Sequence, residues 1–312
     1  MNSFKEYLQS EGKSKSTVEH YQRYILDFIT WLDQDNTEVE NATAKEVMGY
    51  LNYLQKKGIS NKTKSYRLNT INQFFDYQIE QELREEHPSR HIKIRGSHSK
   101  KLTPILKREI LEKIYLDYQI PTAEDPRKNR NWFTTYKLSK QRNKIILSLL
   151  INQGLTTAEI NRLEMKDLQL RSGEILIKGS RKSEERTLKL KSNQIMDLME
   201  YQFTTRSELL TYQINKDAPN LFLPVPVAGR KTATQNLDIW KGVNKEIKEQ
   251  HTNFINLRQI RTSVITHWLK QYNLREVQYM AGHRYVSTTE AYFINQTDDL
   301  LKDIDQFHPL SQ

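Results

Sequence analysis

The stretch RQIRTSVITHWLKQYNLREVQYMAGHRYVSTTEAY, residues 258–292, holds the most ordered set of polar groups in the chain. Arg258 and Arg261 stand three residues apart, a spacing that puts both on one face of a helix. Gly282-His283 follows, and then Tyr292. Asn273-Leu-Arg-Glu276 reads as the start of a short helix, which Gly282 is placed to end. His267, Trp268 and Leu269, between the arginines and that helix, read as packing residues.

Working outward, the 312 residues suit two domains, each long enough to bury its own core. The 48 Lys+Arg outnumber the 38 Asp+Glu, and the net charge of +10 favours a polyanionic partner, nucleic acid first and a membrane surface second. No run approaches the roughly 18 apolar residues of a membrane span, and the first residues lack an apolar signal core, so a soluble, cytoplasmic protein is expected. The chain has no cysteine, which rules out disulfides, thiol nucleophiles and thiolate zinc sites.

The first ninety residues predict a compact four-helix unit. Phe4, Tyr7 and Leu8 form a short opening helix. Ser16-Thr-Val-Glu19 and Thr43-Ala-Lys-Glu46 both fit a capping box. Behind the first, Val18, Tyr21, Ile25, Phe28 and Leu32 make one apolar stripe; behind the second, Val47, Tyr50, Leu51 and Leu54 do so, and Gly58 ends the helix. A further helix starts near Ser60 and runs through Leu68, Ile71, Phe75 and Ile79. Lys62, Lys64 and Arg67 lie near its N-terminus, where charge and helix dipole both suit a phosphate. Residues 91–102, polar and basic, are the expected linker.

In the second domain, Thr103-Pro104 is expected to open a helix with Pro at its first position. Residues 119–140 read as a surface loop or insertion, and a strongly apolar helix runs from Asn143 to Gly154. Thr157 begins another helix, carrying Glu159, Ile160 and Leu163. The period then changes. Glu174–Ile177 and Arg186–Leu190 are strand-like runs around a turn with Lys178, Arg181 and Lys182, a β-hairpin with a basic tip.

This order of features resembles the tyrosine recombinases, the phage-integrase family of DNA breaking-and-joining enzymes. Members carry an arginine in a Gly-Leu-Arg-x-x-Glu-Leu element, a hairpin lysine, a His-x-x-Arg pair, a Gly-His and a nucleophilic tyrosine nine residues later. Gly282-His283 and Tyr292 match that last spacing, with Ser287-Thr-Thr-Glu290 between them also similar. Arg261 matches the second arginine and Lys182 the hairpin lysine, with Arg181 a near alternative. Two positions depart: Thr156 stands in the place of the first arginine, and Arg258 in that of the histidine.

The resemblance implies a mainly α protein: a SAM-like core-binding domain (1–90), a basic linker (91–102), and a mainly helical catalytic domain with a small antiparallel hairpin sheet and a C-terminal tail (103–312). It implies a site-specific recombinase or integrase of a mobile element, working through a 3′-phosphotyrosine intermediate on Tyr292 without cofactor or metal. Arg261 and Arg258 would supply positive charge to the phosphate, His283 a further donor, and Lys182 the proton for the leaving oxygen. Arg181 and Arg186 are expected to meet DNA, and Arg258, Arg181 or Arg186 to fill the place left at Thr156. The partner would be double-stranded DNA, bound by a homotetramer at synapsis and a monomer in solution, with the tail from Asp298 to Ile304 docking on a neighbour or folding back. A relaxing topoisomerase is the same-chemistry alternative; a DNA-binding regulator or accessory factor that has lost cleavage is the alternative from another class.

Overall fold

The computed structural model describes residues 2–34, 36–96, 103–181, 183–226, 232 and 239–293. The chain divides into two compact units, 1–101 and 102–312. The first holds α1 (Asn2–Ser10), α2 (Lys15–Gln34), α3 (Ala44–Lys56) and α4 (Asn61–Glu80). The stripe of α2 buries Val18, Ile25, Phe28 and Leu32 against Val47, Tyr50 and Leu54 of α3 and Ile71 and Phe75 of α4. Such a core is the main stabilising term of a unit this size. Thr43 forms the expected capping box with Glu46, and the Ser60 side chain accepts from the Thr63 amide. At α2 the cap is Ser14 rather than Ser16: the Ser14 hydroxyl accepts from the Thr17 amide at 3.3 Å. Gly12, at φ +66°, turns the chain so that helical geometry is entered earlier. Within the expected linker, Ile92 and Ile94 pack against the first core, and the Asn61 amide donates to the Arg95 carbonyl at 3.0 Å. Residues 97–102 lie outside the described residues.

The second unit begins with α5 (Arg108–Asp117) and α6 (Phe133–Gln153), then α7 (Thr157–Arg162) and strands β1 (Leu168–Gln169), β2 (Glu174–Ile177) and β3 (Arg186–Lys189). α8 (Ser192–Glu200) continues through a π-helical turn, Tyr201–Thr205, into α9 (Arg206–Leu210). α10 (Trp240–Gln250), α11 (Leu257–Leu269), α12 (Leu274–Ala281) and α13 (Val286–Glu290) follow. The three strands form one antiparallel sheet in the order β1-β2-β3, with Ile175 opposite Leu188 and Ile177 opposite Arg186. Alternation turns Ile175, Ile177 and Leu188 into the core beside Ile146, Leu149 and Leu150 of α6.

Two boundaries differ from expectation. α6 starts at Phe133, ten residues before Asn143, because its polar first half is absorbed inside: Phe133 and Leu138 are buried, and the Lys140 ammonium lies 4.9 Å over the Tyr118 ring and pairs with Glu246. The expected loop therefore ends at Trp132. The helix expected at Pro104 begins at Arg108 instead. Residues 104–106 are tied to α11: the Pro104 carbonyl accepts from Gln259 at 3.0 Å, the Leu106 amide donates to Ser263 at 2.9 Å, and His267 Nε2 donates to the Leu106 carbonyl at 2.8 Å. These bonds satisfy backbone groups that a helix would otherwise have to pair. Among the described residues no helix is long and apolar enough to cross a membrane. The tail segment 298–304 lies outside the described residues.

Candidate active site

Arg261 leaves α11 toward the C-terminal ends of α6 and α12. Its Nη1 donates to the Gly154 carbonyl at 2.5 Å, and its Nη2 to the Ala281 carbonyl at 2.7 Å. Both acceptors sit where helices end and carbonyls lack intrahelical partners. Gly154 and Gly282 close those helices in the left-handed region, at φ +58° and +66°. Burial pulls the Arg261 pKa down, opposed by the charge of Glu159 and the hydroxyl of Tyr292; a guanidinium stays protonated under such a shift.

His283 is buried at 8% exposure directly after Gly282. Its Nε2 lies 3.3 Å from Arg261 Nη2 and its Nδ1 2.9 Å from the Thr289 hydroxyl. A guanidinium can only donate, so the bonding pattern assigns the ring hydrogen to Nδ1 and leaves Nε2 bare. Burial, and then the charges of Arg261 and Arg186, bring the His283 pKa down to about 4. Tyr292 stacks on this imidazole, ring centres 5.5 Å apart and planes 20° from parallel, and its ring packs on the small cluster of Ile265, Val277 and Ala281. The structure thus brings Arg261, His283 and Tyr292 together.

Beneath them lies a carboxylate that the sequence did not single out. Thr156 caps α7, and Glu159 closes the capping box, accepting at Oε2 from the Thr156 amide at 2.8 Å and from its hydroxyl at 2.9 Å. Glu159 Oε1 accepts from Arg186 Nη1 at 2.8 Å, while Oε2 is 3.7 Å from Arg261 Nη1. Burial pushes the Glu159 carboxyl up, yet the Arg186 hydrogen bond and the two guanidinium charges outweigh it and hold the pKa below its usual value. Arg186 also donates from Nε to the Met280 carbonyl at 2.8 Å, and its Nη2 is buried without a partner. The signal for Glu159 was its spacing of three from Thr156; that for Thr289 was the Ser-Thr-Thr-Glu run.

The other expected site residues are placed unevenly. Arg258 is exposed on α11 one turn before Arg261. Arg181 is exposed in the hairpin tip, and Lys182 lies outside the described residues. Lys178, at the end of β2, is paired with Glu164 at 2.7 Å and Asp167 at 3.4 Å. Three of the residues expected to meet DNA are engaged by the chain itself. The Arg186 side chain is fully buried because it is spent on Glu159 and Met280. Lys64 is buried and donates to Gln55 at 3.1 Å. Arg67 is held by Asp27 at 3.1 Å and the Tyr50 hydroxyl at 2.7 Å, over the Tyr24 ring. Lys62 is exposed. Among the described residues no group of three or more His, Cys, Asp or Glu could hold a metal ion.

Residues 130–298 match the phage integrase family, and residues 1–85 match its N-terminal SAM-like domain. Tyrosine recombinase XerD of Oceanobacillus iheyensis is 30% identical over 99% of this chain and 98% of its own. In fold, the chain is similar to XerH site-specific recombinase bound to a palindromic difH substrate, with TM-score 0.67 and 20% identity over 92% of this chain and 79% of that one. It is also similar in fold to a lambda integrase tetramer bound to a Holliday junction, with TM-score 0.60 and 13% identity over 93% and 75%. The chain belongs to the phage integrase family, the tyrosine recombinases.

Proposed function

We propose that this chain is a site-specific DNA recombinase of a mobile element, cutting and rejoining strands through Tyr292. The observation that carries this reading is the stacking of Tyr292 on His283 beside the guanidinium of Arg261. Tyr292 Oη attacks the scissile phosphorus, the bond to the 5′-oxygen breaks, and the DNA 3′ end is left as a phosphotyrosine diester. The departing oxygen takes a proton from the hairpin, the role that falls to Lys182. A second strand's 5′-hydroxyl then reverses the step. One phosphodiester replaces another, so no nucleotide need be consumed.

Negative charge grows on the non-bridging oxygens as phosphorus becomes five-coordinate, and fixed cations are the main device for stabilising it. Arg261 is fixed by two carbonyls. Glu159 would cancel part of its charge, but that carboxylate is committed to Arg186 at 2.8 Å against 3.7 Å to Arg261. Arg186 thus works from below, keeping Arg261 positive toward a phosphate. Arg258, exposed one turn away, is the second donor and answers for the place that Thr156 leaves without a cation. His283 is neutral in the DNA-free chain with Nε2 held by Arg261 Nη2, so it receives the phenolic proton once Arg261 turns to the phosphate and the phosphate charge raises the imidazole pKa. Double-stranded DNA is the substrate; two duplexes offer four strands to cut, hence four protomers at synapsis. The non-cutting DNA binder remains the second reading, favoured by one observation: the Thr156 hydroxyl is used up in capping α7.

A substrate nicked beside the scissile position, so that the leaving strand diffuses away, separates the two readings. A covalent protein–DNA adduct with the native chain and none with Tyr292→Phe supports the recombinase. Absence of adduct in both, on a DNA site that both bind, supports the non-cutting binder.

A further inference from the structure

The hairpin does more than project from the sheet. Its β3 side runs along the end of α12 in steady antiparallel register. The Tyr279 hydroxyl meets the Thr187 amide at 3.1 Å, Arg186 Nε donates to the Met280 carbonyl at 2.8 Å, the Glu184 amide donates to the Gly282 carbonyl at 3.0 Å, and Ser183 forms a β-bridge with His283. The tip is closed on itself by the Ser180 amide, which donates to the Ser183 carbonyl at 2.7 Å. The seam ends in a side-chain pair: Arg284 Nε donates to Glu184 Oε1 at 2.8 Å, and Arg284 Nη2 reaches the Ser180 carbonyl at 3.5 Å. The last sheet pair is Ile177 with Arg186, so Ser180, Ser183 and Glu184 lie beyond the ladder and lean on 282–284 for their register. A one-residue slip there would reverse which side chains face the site.

From this seam we infer that Glu184 and Arg284 are positioning residues: they clip the hairpin tip to the segment carrying His283 and so fix where the hairpin presents its proton donor. The inference rests on the tyrosine-nucleophile reading above. It assigns a role in the proton-transfer half of cleavage to a salt bridge that touches neither the nucleophile nor the arginine clamp. Both side chains are partly exposed, 43% for Arg284 and 56% for Glu184. Such a pair adds little to global stability, so its consequence is local, in the placement of the tip. A displacement of about 1 Å in a reacting group can cost up to about 100-fold in rate.

The test compares the native chain, Glu184→Arg, Arg284→Glu and the double exchange in single-turnover adduct formation at saturating DNA. Two nicked substrates are used, one with the natural scissile 5′-oxygen and one with sulfur there, a leaving group that departs without a proton. Each single reversal is expected to slow the oxygen substrate about tenfold or more. The double exchange re-forms the ion pair without the contact to the Ser180 carbonyl and should restore most of the rate, and all four proteins should cleave the sulfur substrate alike. Single variants that match the native chain on oxygen, an equal loss on oxygen and sulfur, or a double exchange that restores nothing would each overturn the inference. A native chain that forms no adduct on either substrate would instead strike the nucleophile reading beneath it.

Discussion

Arg186 and Glu159 form an ion pair at 2.8 Å with both side chains sealed from solvent, 0% and 2% exposed, directly beneath the cluster of Arg261, His283 and Tyr292. Removing one member of such a pair strands the other charge, at about 3–5 kcal/mol. Arg186→Met should lower unfolding free energy by that amount in urea titrations, and Glu159→Gln added to it should recover most of the loss. An Arg186→Met protein as stable as the native chain would show that the pair does not hold the site together.

Gly282 is constrained twice. Its φ of +66° lies in the left-handed region, and a Cβ there would fall 2.7 Å from Arg186 Cζ. The conformational term alone costs about 1–2 kcal/mol, and the fully buried guanidinium has no room to retreat. Gly282→Ala is expected to lose at least 2 kcal/mol of stability in urea unfolding and to slow adduct formation more than Ala placed at Gly242, where a Cβ meets nothing within 4 Å.

His283 gives the pH dependence. Its folded pKa, about 4, is below the roughly 6.5 of a free histidine. Between those values the unfolded chain binds more protons, so stability contributed by neutral His283 is fully present above about pH 6.5 and is lost as pH falls toward about 4. Imidazole NMR signals of His283 should remain those of the neutral ring at pH 6 and show its Nδ1–H tautomer. His283→Gln should flatten the decline of stability across that window.

Thr156 and Arg258 should answer oppositely to exchange. Thr156 contributes a helix cap, so Thr156→Ala should cost about 1 kcal/mol of stability. If Arg258 supplies the missing donor, Arg258→Ala should slow adduct formation by about 10²–10³-fold, the usual effect of losing a preorganised donor. Thr156→Arg should then raise the rate by less than about tenfold, far short of a whole donor's effect. A gain of the full size from Thr156→Arg, with no loss from Arg258→Ala, would mean that the place stands empty in the native chain.

What the sequence revealed was mostly local. The capping box at Thr43, the helix start at Asn273, the glycines ending α6 and α12 and the two strands of the hairpin depend on residues a few positions apart, and all form. The spacing from Gly282-His283 to Tyr292 likewise foretold one cluster. What escaped depends on partners distant in the chain. Arg186 reads as a hairpin cation until Glu159 is found facing it from α7. Lys64 and Arg67 read as free cations at a helix start, and local spacing does not reveal their partners Gln55, Asp27 and Tyr50. The first half of α6 reads as loop because Lys140 finds burial through Tyr118 and Glu246, partners far from it in the chain.

The most direct measurement is the location of the protein–DNA bond. A nicked duplex carrying the chain's own recombination site is incubated with the native protein, the adduct is digested with protease and nuclease, and the nucleotide-bearing peptide is sequenced by mass spectrometry. A 3′-phosphonucleotide on Tyr292 is the result predicted. An adduct on any other residue, or one that persists in Tyr292→Phe, would contradict it.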